Sequence, residues 1–221
     1  MVLSWSGGKD GSLALNELRK KNDVRVAGLL TTVTRDYDRI SMHGVRRSLL
    51  QQQALSTGIP LNEVAIPKNA TNEIYEDAMT TSLKRLKEEL SISSVAFGDL
   101  FLRDVRTYRE NLLFKIGLEC DFPLWGRDTK ELAKYFVREG FRAILCTVNP
   151  KMLDPTFCGR EFDSTFLSEI PSSVDPCGEN GEFHTFVYGG PIFKQEVGIS
   201  KGEIVLRDGF YFCDLVPSKQ S

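Results

Sequence analysis

The chain has 221 residues, with 28 Lys and Arg against 30 Asp and Glu, a formal net charge of −2. Hydrophobic residues at 41% and charged residues at 26% exclude a disordered chain. The missing basic excess argues against a nucleic-acid-binding protein, and no apolar run approaches the roughly 18 residues of a membrane span.

The length predicts one to two domains. The start, Met1 to Lys9, has neither the basic nor the long apolar region of a signal peptide. Its five cysteines are an odd number with no CxxC pair and no zinc spacing. These features predict a cytoplasmic protein with reduced thiols and no metal-ligating side-chain cluster.

Strand and helix signals alternate through the first 120 or so residues. A short strand over 2–5 leads into a helix over 10–21, with Ala14, Leu15 and Leu18 on one face. The nearly continuous apolar run 24–33 predicts a parallel strand buried on both faces. A helix over 45–57 ends at Gly58, and a strand over 61–66 follows. The helix 72–90 carries Tyr75, Met79, Leu83, Leu86 and Leu90 at spacings of three and four. A strand over 95–97 ends in Gly98-Asp99, and a helix over 104–116 stops at Gly117. Repeated units of this kind predict an α/β fold, a Rossmann-like doubly wound parallel sheet.

The pattern changes after Pro123. Asp128 is an N-cap for a helix that Gly140 ends, with Glu131 three residues on. A strand over 143–148 follows, then a stretch rich in Pro, Gly and Asp as far as Gly181. Asp208-Gly209 between 204–207 and 210–214 predicts a hairpin. The expected division is a doubly wound α/β domain over 1–122 and a smaller α+β domain over 123–221.

The most informative segment is Ser4-Trp5-Ser6-Gly7-Gly8-Lys9-Asp10-Gly11-Ser12, between the first strand and first helix. Glycines let the chain turn sharply and bring amide N–H groups close to a ligand. The helix start adds free amides and partial positive charge, so the segment reads as a phosphate cradle with Lys9 adding a full charge. It is neither the GxxxxGK[ST] nor the GxGxxG pattern.

Ser6 to Asp10 resemble the SGGKDS signature of the PP-loop ATP pyrophosphatase superfamily. The last signature serine is replaced by Gly11, which removes a hydroxyl, and Ser12 is the adjacent substitute. Further strings occur in order: Met42-His43-Gly44-Val45-Arg46-Arg47, Phe97-Gly98-Asp99, 122–128, and Asp175-Pro176-Cys177-Gly178-Glu179-Asn180-Gly181-Glu182-Phe183-His184-Thr185. Together they are similar to the diphthine–ammonia ligase (diphthamide synthase) branch. The resemblance implies an adenine nucleotide α-hydrolase-like fold. It also implies an AMP-forming ligase that adenylates a carboxylate and amidates it with ammonia. ATP and Mg2+ are the implied cofactors, and ammonium and a carboxylate-bearing substrate, on a protein in that family, are the implied partners.

Ser6, Gly7, Gly8, Lys9, Asp10, Ser12, His43, Gly98 and Asp99 are the expected ATP-binding residues, with Lys9 also catalytic. Ligands bind at the carboxyl ends of strands in such a sheet, where His43, Gly98 and Asp99 should fall. Asp175, Glu179, Glu182 and His184 share a glycine-broken loop, and such loops carry sites. Its carboxylates could hold magnesium, position ammonium or act as a general base, or could form a solvated acidic loop. Glu182 and Glu179 are the expected catalytic pair, and Glu182, His184 and Arg127 the expected substrate-binding residues. Arg127 could clamp a carboxylate as a bidentate fork. Two other readings are a tRNA-modifying PP-loop enzyme and, given Gly11, a nucleotide-binding module without turnover.

Overall fold

The computed structural model describes residues 1–40 and 43–218, so Met42 of the quoted string lies outside the described residues. Strand β1 (Val2–Ser4) enters the glycine turn, and α1 (Lys9–Arg19) leaves it. Strand β2 (Gly28–Thr34) pairs parallel with β1, Val2 opposite Gly28. A two-residue strand β3 (Arg39–Ile40) folds back antiparallel on the end of β2. Then come α2 (Arg47–Thr57), β4 (Leu61–Ile66), α3 (Asn72–Leu90), β5 (Ser94–Ala96), α4 (Arg103–Phe114) and β6 (Glu119–Asp121).

The parallel strands lie in the order β4–β2–β1–β5–β6. The winding reverses between β1 and β5, and a ligand crevice opens at the carboxyl ends of the two strands flanking such a reversal. This is the doubly wound α/β fold expected from the alternating pattern.

Local chemistry sets the helix ends. The Thr71 hydroxyl accepts from the Ile74 amide and starts α3, whose Met79, Leu83 and Leu86 are buried. Gly58 closes α2 with φ of 74°, a conformation that costs an L side chain energy.

The second half forms α5 (Thr129–Arg138), β7 (Arg142–Val148), a 3-10 turn at Pro155–Phe157, and α6 (Ser164–Glu169). Strands β8 (Phe183–Gly189), β9 (Ile199–Arg207) and β10 (Phe210–Pro217) complete it. The smaller sheet is antiparallel in the order β8–β7–β10–β9. Asp128 caps α5 by accepting from the Glu131 amide at 2.9 Å.

Four elements differ from expectation. The run 24–33 becomes strand only from Gly28, because β1 begins at Val2 and the earlier residues run past its end. The short strands β3 and β6 carry no period of their own. Helix α6 lies inside the stretch read as irregular, where the Asp163 side chain caps it from Phe166 N.

One apolar core joins the two sheets, running from Leu3, Trp5 and Leu50 to Phe186 and Leu215. A second cluster lies between the parallel sheet and α3, with Val2, Val64, Met79, Leu83 and Val95. At the surface, Asp214 of β10 accepts from Arg46 at 2.7 Å and from Arg39 at 3.0 Å, tying the hairpin to the loop before α2. Among the described residues no helix is long and apolar enough to cross a membrane.

Candidate active site

The glycine turn is stitched to the second sheet by its own backbone. The Gly7 carbonyl accepts from Val187 N and from Gln53 Nε2, both at 2.9 Å. Gln53 is fully buried, and its Oε1 accepts from the Trp5 indole at 2.7 Å. Lys9 N donates to the Thr185 hydroxyl at 3.1 Å. Gly7 holds φ of 80°, and a Cβ there would stand 2.7 Å from Leu50 Cδ1. The turn therefore needs glycine both for its dihedral and for its packing.

Between the ends of β1 and β5 and the loop 177–185 lies a cavity of about 290 Å3. Ser6, Gly8, Lys9 and Asp10 line one side, Gly98 and Asp99 the second, and Glu179 and His184 the third, with His43 at the rim of the turn. The structure thus brings together most of the residues expected to bind nucleotide. Gly98 has a packing duty as well. A Cβ there would lie 2.8 Å from the Asp10 carbonyl carbon and 2.9 Å from Gly11 N, so β5 can approach α1 only with glycine.

Lys9 is 2% exposed, and its ammonium contacts both oxygens of Asp10 at 2.7 Å. Burial pulls the Lys9 pKa down, but the charges of Asp10 and Glu179 outweigh it and leave it raised. Lys9 therefore stays cationic at neutral pH. Burial pushes the Asp10 carboxyl up, and Lys9 opposes that push.

Glu179 accepts from Leu100 N at 2.8 Å. Burial pushes its carboxyl up to about 7; the Leu100 amide and Lys9 hold it back, while Asp10 and Asp99 add to the rise. His184 is pulled down to about 4 by burial and by Lys9, so its ring is neutral at pH 7. The His43 and His184 rings lie 4.6 Å apart. Asp99 pairs with Arg109, Oδ2 to Nε at 2.6 Å, and the guanidinium sits 4.3 Å over Phe97.

Three expected residues are placed elsewhere. The Ser12 hydroxyl is completely buried and donates to the Gly8 carbonyl at 3.0 Å, one helical turn back. Arg127 reaches Glu17 at 3.4 Å and stacks on Tyr135, outside the cavity lining. Glu182 is 1% exposed and bonds within its own loop, accepting from Asp175 N, Asn180 N and Asn180 Nδ2 at 2.9–3.0 Å. Gln53, Arg109 and Thr185 also belong to this network, and none of them is among the expected residues. Arg109 and Gln53 lie in helices read only for their apolar faces, so no local signal marked them.

Gly11 has no conflict with a larger side chain. The nearest atom to its missing Cβ is Trp5 Cε3 at 3.6 Å, an ordinary contact. Gly11→Ser should fold and gain about 0.5 kcal/mol from helix propensity. That corresponds to a rise of roughly 1–2 °C in thermal midpoint for a chain of this size. A midpoint several degrees lower in scanning calorimetry would contradict this account of the turn.

Two family models match the chain, the diphthamide synthase N-terminal domain over residues 1–120 and the diphthamide synthase C-terminal domain over residues 128–218. The chain belongs to the diphthamide synthase family. Among curated proteins it is similar to the diphthine–ammonia ligase of Danio rerio, 31% identical over 59% of this chain and 53% of that protein. The diphthine–ammonia ligase of Homo sapiens is 27% identical over 59% of this chain and 51% of that protein. That of Saccharomyces cerevisiae is 23% identical over 86% of this chain and 33% of that protein. The chain spans about half the length of the curated relatives it matches, and a third of the yeast protein.

Proposed function

We propose that this chain is an ATP-dependent amide-forming ligase of the kind its relatives are named for. Residues 1–122 hold ATP, and 123–221 close the site and share with the first half the cavity that admits the acceptor. The observation that carries this reading is the placing of Lys9 and Glu179 on one cavity at the switch point of the sheet. One is a fixed cation for phosphate, and the other is a carboxyl that titrates near neutrality.

The turn amides and Lys9 hold the β- and γ-phosphates. A carboxylate oxygen of the acceptor attacks the α-phosphorus, and the bond to the bridging oxygen breaks to release pyrophosphate. Ammonia then attacks the acyl carbon, and AMP leaves with the former carboxylate oxygen. Ammonium must lose a proton to become that nucleophile. Ionised Glu179 takes the proton, and a base is most effective when its pKa lies near the working pH.

Among the described residues no three metal-ligating side chains cluster. Magnesium carried on phosphate needs only one or two protein carboxylates, and Asp10, which lines the cavity, would supply one. When bound, it would spread the negative charge of the phosphate oxygens.

The acceptor enters from a second cavity of about 500 Å3, which meets the first at His184 and is lined by Tyr37, Arg39, Lys68 and Phe212. The relatives' names point to diphthine on a protein as that acceptor.

The test is a pH profile. If Glu179 must be ionised, turnover at saturating ATP and ammonium should rise with pH through about 7. Glu179→Gln should flatten that limb and lower turnover about a hundredfold, within the usual range for a general base. An identical profile in the variant would remove Glu179 from proton transfer.

A further inference from the structure

Strand β9 is an edge of the smaller sheet, bonded to β10 on one side. Edge strands are normally blunted with charge, proline or a bulge. The half of β9 beside the hairpin instead exposes three consecutive apolar residues, Ile204 at 50%, Val205 at 41% and Leu206 at 59%.

The hairpin fixes which backbone groups face outward. Asp208 and Gly209 have φ of 51° and 84°, a two-residue turn of the I′ kind flanked by Arg207 opposite Phe210. Residues flanking such a turn exchange hydrogen bonds, and bonded and non-bonded pairs then alternate. Arg207 and Val205 therefore point their N–H and C=O towards β10. Ile204 and Leu206 point theirs away from it.

We propose that β9 pairs antiparallel with β9 of a second copy of this chain, about a two-fold axis at Val205. Three independent features agree on that register. It sets Ile204 opposite Leu206 of the other copy, the two residues with outward backbone groups. Val205 meets its own symmetry mate in a non-hydrogen-bonded pair, where side chains approach most closely. Glu203 falls opposite Arg207 of the other copy, so opposite charges meet on the Val205 face. An isologous contact of this kind closes at two copies and joins the two smaller sheets into one.

The wild-type chain at about 100 μM should show by light scattering twice its 24.9 kDa mass. Leu206→Pro removes only an outward N–H, and proline is tolerated on such an edge, so the variant should stay folded by circular dichroism and return to monomer mass. Under mild oxidation Val205→Cys should link into a covalent dimer. Ile204→Cys should not, because its symmetry mate lies two residues out of register, beyond the roughly 7 Å Cα limit for a disulfide. That pair decides the matter even if Leu206→Pro fails to fold. A monomeric wild type, a dimer that survives Leu206→Pro, or equal linking at 204 and 205 would overturn the proposal. Linking to another protein in place of a second copy would also overturn it.

Discussion

Lys9→Met is expected to weaken ATP binding about ten- to hundredfold while the chain still folds. Methionine keeps the length of the lysine stem, so a side chain only 2% exposed is replaced without a large void. The charge is lost, and a charge-assisted phosphate contact contributes roughly 1.5–3 kcal/mol. Asp10 adds to the effect. In the wild type both its oxygens lie on the Lys9 ammonium at 2.7 Å. Without that cation, an acidic group would face the triphosphate directly. Folding survives because Asp10 opens onto the cavity and can be solvated or protonated there. Titration calorimetry with ATP checks the effect, and an affinity within twofold of wild type would take Lys9 out of the phosphate site.

Glu182→Gln is expected to act through stability. The sequence places Glu182 among the expected catalytic and substrate-binding residues, yet its two oxygens receive three hydrogen bonds from Asp175 and Asn180 inside the loop. Glutamine replaces one oxygen with a donor, which then faces a buried donor. Each polar group orphaned in this way costs about 1–3 kcal/mol. For one such group the thermal midpoint should fall by roughly 2–12 °C. The same loop carries Glu179 and His184 into the cavity, so turnover falls with it. Calorimetry separates the two roles. A wild-type midpoint with abolished turnover would make Glu182 a reacting group after all.

These two residues also show what a sequence discloses. The place of Lys9 at the turn and helix start was legible because strand, glycine turn and helix start follow one another along the chain, and geometry within a few residues is local. The helix 72–90 was legible to the residue, since Thr71 caps it and its apolar residues keep a period of three and four. Asp128 and the Asp208-Gly209 turn were legible for the same reason. Gln53 was not, because its task is to join Gly7, Trp5 and Val187, which only the fold brings together. Arg127 and Glu182 share a different cause. A charged residue in a string that resembles a family motif reads as a ligand-binding group until its partners are seen. Here those partners are Glu17 for the first and loop amides for the second. Ser12 lost its expected role to the helix itself, whose Gly8 carbonyl lies one turn back and captures the hydroxyl. Glu179 stood among the expected catalytic residues already, but the rise of its pKa comes from burial, which no neighbouring residue in the sequence discloses.

The most direct test of the proposed function supplies the chain with ATP, magnesium, ammonium and a diphthine-bearing protein, and follows the nucleotide products by chromatography and the acceptor by mass spectrometry. Each amide formed should be matched by one AMP and one pyrophosphate, with loss of about 1 Da from the acceptor as a carboxylic acid becomes an amide, and with no turnover when any one substrate is omitted. ADP with orthophosphate as the stoichiometric products, or ATP held unchanged beside an unmodified acceptor, would contradict it.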